Sequence, residues 1–181
     1  LNSGGLSRAQ FKAEMEQIYS RNWIFVGFES EIPNPGDYVL RRIGTESVIV
    51  TRDAAGAIHV LSNYCRHRGT MLCQADQGNS THFRCAYHGW TYKNNGDFAG
   101  APHMRDAYRK LDRANWGLLR AAHVDTYLGL IFATLDESAS SLKDYLGSAT
   151  WMLDALIGLH PEGMTVLGPP DRYRLRADWK N

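Results

Sequence analysis

Two short segments each place a cysteine and a histidine almost side by side, with a glycine just after the histidine. The first reads CRHRG, with one residue between Cys65 and His67. The second reads CAYHG, with two residues between Cys85 and His88. The chain has only 3 cysteines in 181 residues, so this pairing uses most of them. Thiolates and imidazoles are common metal ligands. We therefore expect the fold to bring the two segments together around a metal centre.

The spacing favours a two-iron centre over a single zinc ion. Zinc fingers group like ligands, as C-x2–4-C followed by H-x3–5-H, whereas each segment here supplies one thiolate and one imidazole. A Rieske [2Fe–2S] cluster needs two cysteines on one iron and two histidines on the other. We predict that its ligands are Cys65, His67, Cys85 and His88. Two alternatives stay open: a structural zinc site made by the same residues, and ordinary buried or surface side chains that bind no metal.

Residues beside the four expected ligands are candidates for the surroundings of the cluster. Gly69 and Gly89 allow tight turns whose amides can approach the sulfides. The candidates for charge support, for cover of the cluster or for docking of a partner are Arg66, Arg68, Tyr87 and Trp90. Ordinary surface contacts of the arginines and core packing of the aromatic residues explain these positions about equally well. Cys73 is expected in the hydrophobic core.

Hydrophobic patterns predict a mainly β fold with a helix on each side. Ser7 and Gln10 have the spacing of a capping box, and apolar residues recur at helical spacing over 8–22. A second helix is expected over 141–158. Between them we expect strands at 23–28, 38–43, 47–52, 57–63, 81–85, 90–93, 116–124 and 128–135. These elements predict small antiparallel sheets that carry the two cluster-binding loops.

The same patterns divide the chain into three parts. Residues 1–36 read as a helical leader with the first strand, and residues 37–160 as the cluster-binding domain with its trailing helix. Residues 161–181 read as a strand at 164–168, a proline turn and a second strand, and 178–181 resemble the start of a helix. A helix with no core to pack on is not stable by itself. We therefore expect a longer polypeptide, whose catalytic domain begins within 161–181.

Composition and charge narrow the range of partners. The formal net charge is +1, which gives no reason to expect nucleic-acid binding. The sequence shows no apolar run of membrane-spanning length and no signal peptide, so we expect no membrane association. Three cysteines, an odd number, argue against a disulfide framework and favour the reducing cytoplasm.

The segments CRHRG and CAYHGWTY together resemble the Rieske motif in the large (alpha) subunit of the ring-hydroxylating oxygenases. The likeness continues in FKAEMEQIYSRNWIFVGFESEIPNPGDYV, which resembles the N-terminal helix and first strand of that family. RADWKN, at the end of the chain, resembles the opening of the family's catalytic domain. The resemblance implies the electron-transfer domain of an aromatic-ring-hydroxylating dioxygenase, and the loops are nearest to those of enzymes acting on biphenyl-like and polycyclic arenes.

This resemblance also implies partners and further cofactors. Electrons would come from NADH through a reductase or a ferredoxin, and would pass to a mononuclear non-haem Fe(II) whose ligands lie beyond residue 181. The expected assembly is an alpha3 trimer, or alpha3beta3 with a second type of subunit, and its substrate an aromatic small molecule. No catalytic residue is expected in the present chain. The alternatives are a stand-alone Rieske ferredoxin, usually a shorter chain without the flanking helices, and a zinc-stabilised interaction module.

The first prediction concerns the reduction potential of the cluster. Rieske proteins of bc-type complexes carry two further cysteines that join the loops by a disulfide, and a hydroxyl residue after the second His–Gly pair. The corresponding positions here are Thr70, Tyr87 and Trp90, so fewer hydrogen bonds stabilise the reduced form. Rieske potentials span roughly −150 to +300 mV, and we expect the low end. A redox titration giving more than about +150 mV would contradict this expectation.

Overall fold

The structure, a computed structural model, describes residues 7–161, 163–168, 171, 173 and 175. Within these residues the chain forms ten strands: β1 (Ile24–Phe28), β2 (Asp37–Ile43), β3 (Glu46–Arg52), β4 (Ile58–Ser62), β5 (Gln77–Asn79), β6 (His82–Arg84), β7 (Thr91–Lys93), β8 (Phe98–Gly100), β9 (His123–Tyr127) and β10 (Leu130–Thr134). The α-helices are α1 (Arg8–Glu14), α2 (Met104–Ala107), α3 (Leu142–Leu146) and α4 (Ala149–Ile157). The predicted mainly β class is confirmed. None of the described helices has the length and apolar character needed to cross a bilayer.

The strands form three antiparallel sheets, and the central one packs between the other two. Its order is β4-β3-β2-β5, and the outer sheets have the orders β1-β10-β9 and β6-β7-β8. Successive side chains of a strand point to opposite faces. Val48 and Val50 of β3 accordingly share a core with Ile131 of β10, whereas Ile49 shares a second core with Tyr92 of β7. Because β3 is buried on both faces, its sequence reads as a continuous apolar run.

Strand β1 is the first strand predicted within residues 1–36, and it pairs with a strand from the central part of the chain. It pairs with β10, from Ile24 opposite Ala133 to Phe28 opposite Leu130. Its Val26 is 1% exposed and belongs to the core between the β1-β10-β9 sheet and the central sheet. The first strand and the central sheet therefore share a hydrophobic core.

The predicted helix over 8–22 is confirmed at its start but is shorter. The capping box is present: the Gln10 N–H donates to Ser7 Oγ at 3.2 Å, and the Ser7 N–H donates to Gln10 Oε1 at 2.9 Å. After Glu14 the turns widen into a π-helix over Met15–Tyr19. The hydroxyl of Ser20 then donates to a main-chain carbonyl one turn back. A side chain that competes in this way for the helical carbonyls accompanies the end of the helix.

The strand predicted over 116–124 is wrong for most of its length. Arg113–Trp116 is a 3-10 helix, and regular pairing begins only at His123, the start of β9. In between, the Leu118 N–H donates to the carbonyl of Gly96 at 2.8 Å, and Arg120 forms an isolated bridge with Leu61 of β4 in place of a continuous strand ladder. An apolar, β-prone composition cannot show where these backbone groups find partners. Three short elements, β5, β8 and α2, were not predicted at all.

The C-terminal part departs from the prediction in two ways. The helix expected over 141–158 is divided into α3 and α4 at Gly147, which has φ 49° and breaks the helical hydrogen-bond pattern. The strand expected at 164–168 is irregular and pairs with no strand among the described residues. The rest of that prediction, the second strand and the helix start at 178–181, lies outside the described residues apart from isolated positions.

Candidate metal centre

Two loops with the same hydrogen-bond pattern carry the paired cysteines and histidines. The first, 65–70, follows β4, and the second, 85–90, joins β6 to β7. In each loop the cysteine N–H donates to the carbonyl at the far end of the loop, at 2.8 and 2.7 Å, and the glycine N–H donates to the cysteine carbonyl, at 2.8 and 2.9 Å. Gly69 and Gly89 have φ of 68° and 71°, in the left-handed region that favours glycine. The loops are thus two copies of one tight turn.

The loops place two thiols inside the protein and two imidazoles towards its surface. Cys65 is 3% exposed and Cys85 is 2% exposed. Burial raises the pKa of the Cys65 thiol, and Cys85 lies close enough to raise it further. The rings of His67 and His88 lie with their centroids 4.8 Å apart; His67 is partly buried and His88 is exposed. The structure therefore brings together all four predicted ligands, sorted by type.

The electrostatics of the outer side favour a neutral imidazole. Partial burial lowers the pKa of His67, and the nearby charges of His88 and Arg68 lower it further. Neutral imidazole is the form that binds a metal. Cys73, by contrast, lies in the core at 9% exposure, and burial raises its pKa to about 11. The third cysteine is therefore a buried, protonated thiol, as expected.

The two histidine rings have different aromatic neighbours. Trp90 is 2% exposed and stacks on His67, with ring centroids 4.9 Å apart and planes 7° apart. Trp90 also packs against further aromatic rings, including Trp116, whose ring centroid lies 5.4 Å from that of Trp90. Tyr87 is exposed and stacks on His88 at 3.8 Å. Trp90 thus combines the two roles that the sequence left open, core packing and contact with a candidate ligand.

The arginines beside His67 have no carboxylate partner among the described residues. The guanidinium of Arg66 lies 6.0 Å from the ring centroid of Trp116, a cation–π distance. Arg68 is exposed and contributes positive charge near His67. The surface around the imidazoles is therefore positively charged.

Tyr92 is a part of the site that the sequence prediction missed. Its side chain is fully buried, and its hydroxyl oxygen accepts the Arg66 N–H at 3.0 Å and lies 3.2 Å from Cys65 Sγ. Because the Arg66 amide can only donate, the phenol proton is free to point at the sulfur. Burial raises the pKa of Tyr92, and its interaction with Cys65 raises it further, so the phenol stays protonated. The available signal was the spacing of Trp90 and Tyr92, which are two residues apart at the start of β7, so that their side chains point to the same side.

Asn63 is a second residue that was missed, and it ties the first loop to the core. It is fully buried, and its amide makes both a donor and an acceptor contact with the backbone of Cys73, at 2.9 and 2.8 Å. Its Nδ2 also donates to Ser47 Oγ at 3.2 Å. These bonds bridge the two ends of the segment that contains Cys65. No local sequence pattern identifies such a clamp.

The donor set does not converge on one point. Across the described ranges, no group of three or more Cys, His, Asp or Glu side chains could hold a single metal ion. A tetrahedral zinc site needs such convergence. Two inner thiols opposite two outer imidazoles instead match the division of ligands on a two-iron cluster.

Comparisons with known proteins show the family to which the chain belongs. The sequence profile described as "Rieske [2Fe-2S] domain" matches residues 22–127, and the chain belongs to this family. Within the family, it resembles the N-terminal Rieske portion of oxygenase alpha subunits.

Three relatives show how far this likeness extends. The alpha subunit of N,N-dimethyl phenylurea N-demethylase from Sphingobium sp. (strain YBL2) is 58% identical over 94% of this chain and 37% of its own length. The large oxygenase component of the naphthalene 1,2-dioxygenase system of Pseudomonas aeruginosa is 42% identical over 94% of this chain and 38% of its own. The crystal structure of naphthalene 1,2-dioxygenase from Rhodococcus sp. bound to indole superimposes with a TM-score of 0.92 and 43% identity, over 96% of this chain and 40% of that one. The chain thus spans less than half the length of these relatives.

The two loop glycines lead to a prediction about stability. A Cβ at Gly89 would lie 2.8 Å from Cγ of Pro102, whereas a Cβ at Gly69 would meet nothing within 4 Å. Gly69→Ala should lower the free energy of unfolding by about 1–2 kcal/mol, the cost of a left-handed backbone. Gly89→Ala should cost a further ~1–3 kcal/mol because of the overlap. Urea unfolding of the two variants measures this difference.

The overlap can be separated from the backbone cost with a second substitution. Adding Pro102→Ala to Gly89→Ala should recover the steric part and leave the backbone part, as a double-mutant cycle would show. Equal losses for Gly69→Ala and Gly89→Ala would contradict the role assigned to Pro102.

Proposed function

We propose that this chain is the electron-transfer domain of the large subunit of a terminal oxygenase. In this proposal, Cys65 and Cys85 bind one iron of a [2Fe–2S] cluster, and His67 and His88 bind the other. The observation that carries it is the pair of equivalent loops, which bury both thiols and leave both imidazoles on the outer side. A stand-alone ferredoxin is less well supported, because the likeness to a dioxygenase subunit covers 96% of this chain.

The residues around the loops would suit the site to the transfer of single electrons. Such a cluster, when bound, accepts and releases one electron at a time. Tyr92 would donate to the Cys65 thiolate, which stabilises negative charge on that sulfur. Trp90 would hold the His67 ring in one plane through their parallel stack. The exposed edge of His88 and the stacked Tyr87 would give an electron a short route to the surface.

The proposed partners and remaining cofactors follow from the relatives. The names of these relatives describe a subunit and the large component of an oxygenase system. We propose that electrons reach this domain from NADH through a reductase or ferredoxin, and leave it for a mononuclear non-haem Fe(II). The catalytic domain that holds this iron would begin within 161–181, and the assembly would be alpha3 or alpha3beta3. Three buried cysteines without a disulfide support a cytoplasmic location.

Two reactions are compatible with such an electron-transfer domain. The first is dihydroxylation of an aromatic ring, supported by the relatives named for naphthalene and benzene dioxygenation. The second is removal of a methyl group from a phenylurea nitrogen, favoured by the higher identity to the demethylase subunit, 58% against 42%. Both would draw on the same electron-transfer domain.

The ligand assignment predicts which substitutions abolish the cluster. Cys65→Ala, Cys85→Ala and His88→Ala should each lose the anisotropic EPR signal of the reduced protein and most of the bound iron. Cys73→Ala is the matched control: it removes a buried thiol outside the two loops and should keep both signal and iron. Circular dichroism checks that each variant is folded. A colourless wild-type protein with stoichiometric zinc would instead support the interaction module.

We expect the Tyr92→Phe variant to change the reduction potential of the cluster without losing the cluster. The variant removes the hydroxyl that donates to the Cys65 sulfur, and the reduced, more negative form then loses more stabilisation than the oxidised form. One hydrogen bond is worth about 1 kcal/mol, so the potential should fall by about 40 mV at 59 mV per tenfold change in equilibrium constant. The control is Tyr127→Phe. Tyr127 lies in β9, on the other outer sheet, and its hydroxyl donates to Asp154. A redox titration with an unchanged midpoint for Tyr92→Phe would refute this role.

The reaction is tested with the full-length protein and its reductase. We expect naphthalene to yield a cis-dihydrodiol, detected by mass spectrometry. Loss of a methyl group from an N,N-dimethyl phenylurea, without dihydrodiol formation, would show the second reaction. The Cys65→Ala variant is the control for both, because neither product should form without the cluster. No oxygenated product from either substrate would count against both reactions.

A further inference from the structure

The first ligand loop is tied to the aromatic core by contacts that require no metal. Cys65 Sγ lies 3.2 Å from the Tyr92 hydroxyl oxygen, which also accepts the Arg66 N–H at 3.0 Å. The His67 ring stacks on Trp90 with the two planes 7° apart. Trp90 is 2% exposed and Tyr92 is fully buried, so both are fixed in the core. Three successive residues of this loop are therefore held from outside the loop.

Trp116 adds a further contact to the same loop. The Arg66 guanidinium lies 6.0 Å from the centroid of its ring, a cation–π distance. The Trp116 ring in turn packs edge to face on Trp90, with the centroids 5.4 Å apart. The side chain of Arg66 is thus anchored on the same aromatic cluster that supports His67. We call Trp90, Tyr92 and Trp116 the aromatic cradle.

The tip of the second loop, residues 86–88, is held far less. All three residues are exposed, and the Tyr87 ring stacks on His88, a member of the same loop. Among the ring contacts of the described residues, the tip meets only His67 outside its own loop, with centroids 4.8 Å apart. Pro102 packs against the glycine at the base of this loop. The entropic cost of ordering the ligands therefore falls mainly on the second loop.

We propose that the first loop is a preformed half of the ligand set, and that the second loop opens to admit and to release the cluster. The aromatic cradle keeps Cys65 and His67 in place in both states, whereas Cys85 and His88 move with the second loop. On release, the two iron bonds of the second loop break and the Cys85 thiolate takes a proton from water, with no electron transferred. This inference rests on the proposed function, because it requires a cluster held by both loops.

The test follows which cysteine becomes accessible first when the full-length holoprotein loses its cluster. An iron chelator is added together with N-ethylmaleimide, and peptide mass spectrometry measures the alkylation of each thiol over time. Cys85 should react about tenfold faster than Cys65, since a hydrogen bond to Tyr92 and a cation–π pair hold the first loop. Equal rates, or a faster reaction of Cys65, would overturn the proposal, including the case in which a second subunit covers the second loop.

Two variants test the part that the aromatic cradle plays. Arg66→Met removes the cation–π pair with Trp116 and should speed the alkylation of Cys65 about fivefold. Arg68→Met is the matched control: it removes the same charge from the same loop, and Arg68 makes no cation–π contact among the described residues. It should leave the rate at Cys65 within about twofold of wild type. Equal effects of the two substitutions would contradict the role of Trp116.

Cys73 reports whether the whole domain unfolds during the experiment. Its thiol is buried outside both ligand loops, so it should react after Cys65 and Cys85. Alkylation of all three thiols at one rate would show global unfolding in place of loop opening, and it would also overturn the proposal. EPR separates this failure from failure of the proposed function. Absence of a [2Fe–2S] signal in the wild type defeats the function, whereas a normal signal with equal rates at Cys65 and Cys85 defeats only the order of opening.

Discussion

The turn that closes on each cysteine is the constraint on which the rest of the structure depends. In both loops the cysteine carbonyl accepts the amide of a left-handed glycine, and the cysteine amide reaches the end of the loop. This closure turns the thiol inward and leaves the following histidine on the outer side. Buried thiolates are costly unless they bind a metal or accept hydrogen bonds. The sheets, the aromatic core and Tyr92 provide the dry, rigid surroundings in which the two turns can face each other.

The two imidazoles are not equivalent, and this asymmetry links the core to the surface. His67 lies flat against Trp90, which is itself held by a buried aromatic cluster. His88 stacks instead on Tyr87, an exposed ring. One side of the site is therefore fixed by packing, and the other is accessible to a partner. An electron carrier needs both properties, since rigid ligands limit reorganisation and an exposed edge allows transfer.

Much of the fold could be predicted because its signals are local. The capping box of α1, the apolar run of β3 and the glycines of the two loops all depend on neighbours in sequence. The segment 116–124 could not be predicted in this way, since its backbone bonds to Gly96 and to β4, which are distant in sequence. Likewise, few hydrogen bonds to the cluster were expected from the position of Trp90, without regard to Tyr92. The Tyr92 hydroxyl contacts Cys65, although the two residues are 27 positions apart in the sequence.

The sequence by itself determined the ligand types, their division between two loops and the glycines that let each loop turn, because these depend on spacing within a few residues. Tertiary structure alone decided which side chains surround the ligands. The Tyr92 hydroxyl, the Asn63 clamp and the Trp90 stack depend on segments that meet only when the chain folds. Contacts between residues far apart in sequence depend on how the three sheets pack against one another, which no local pattern specifies.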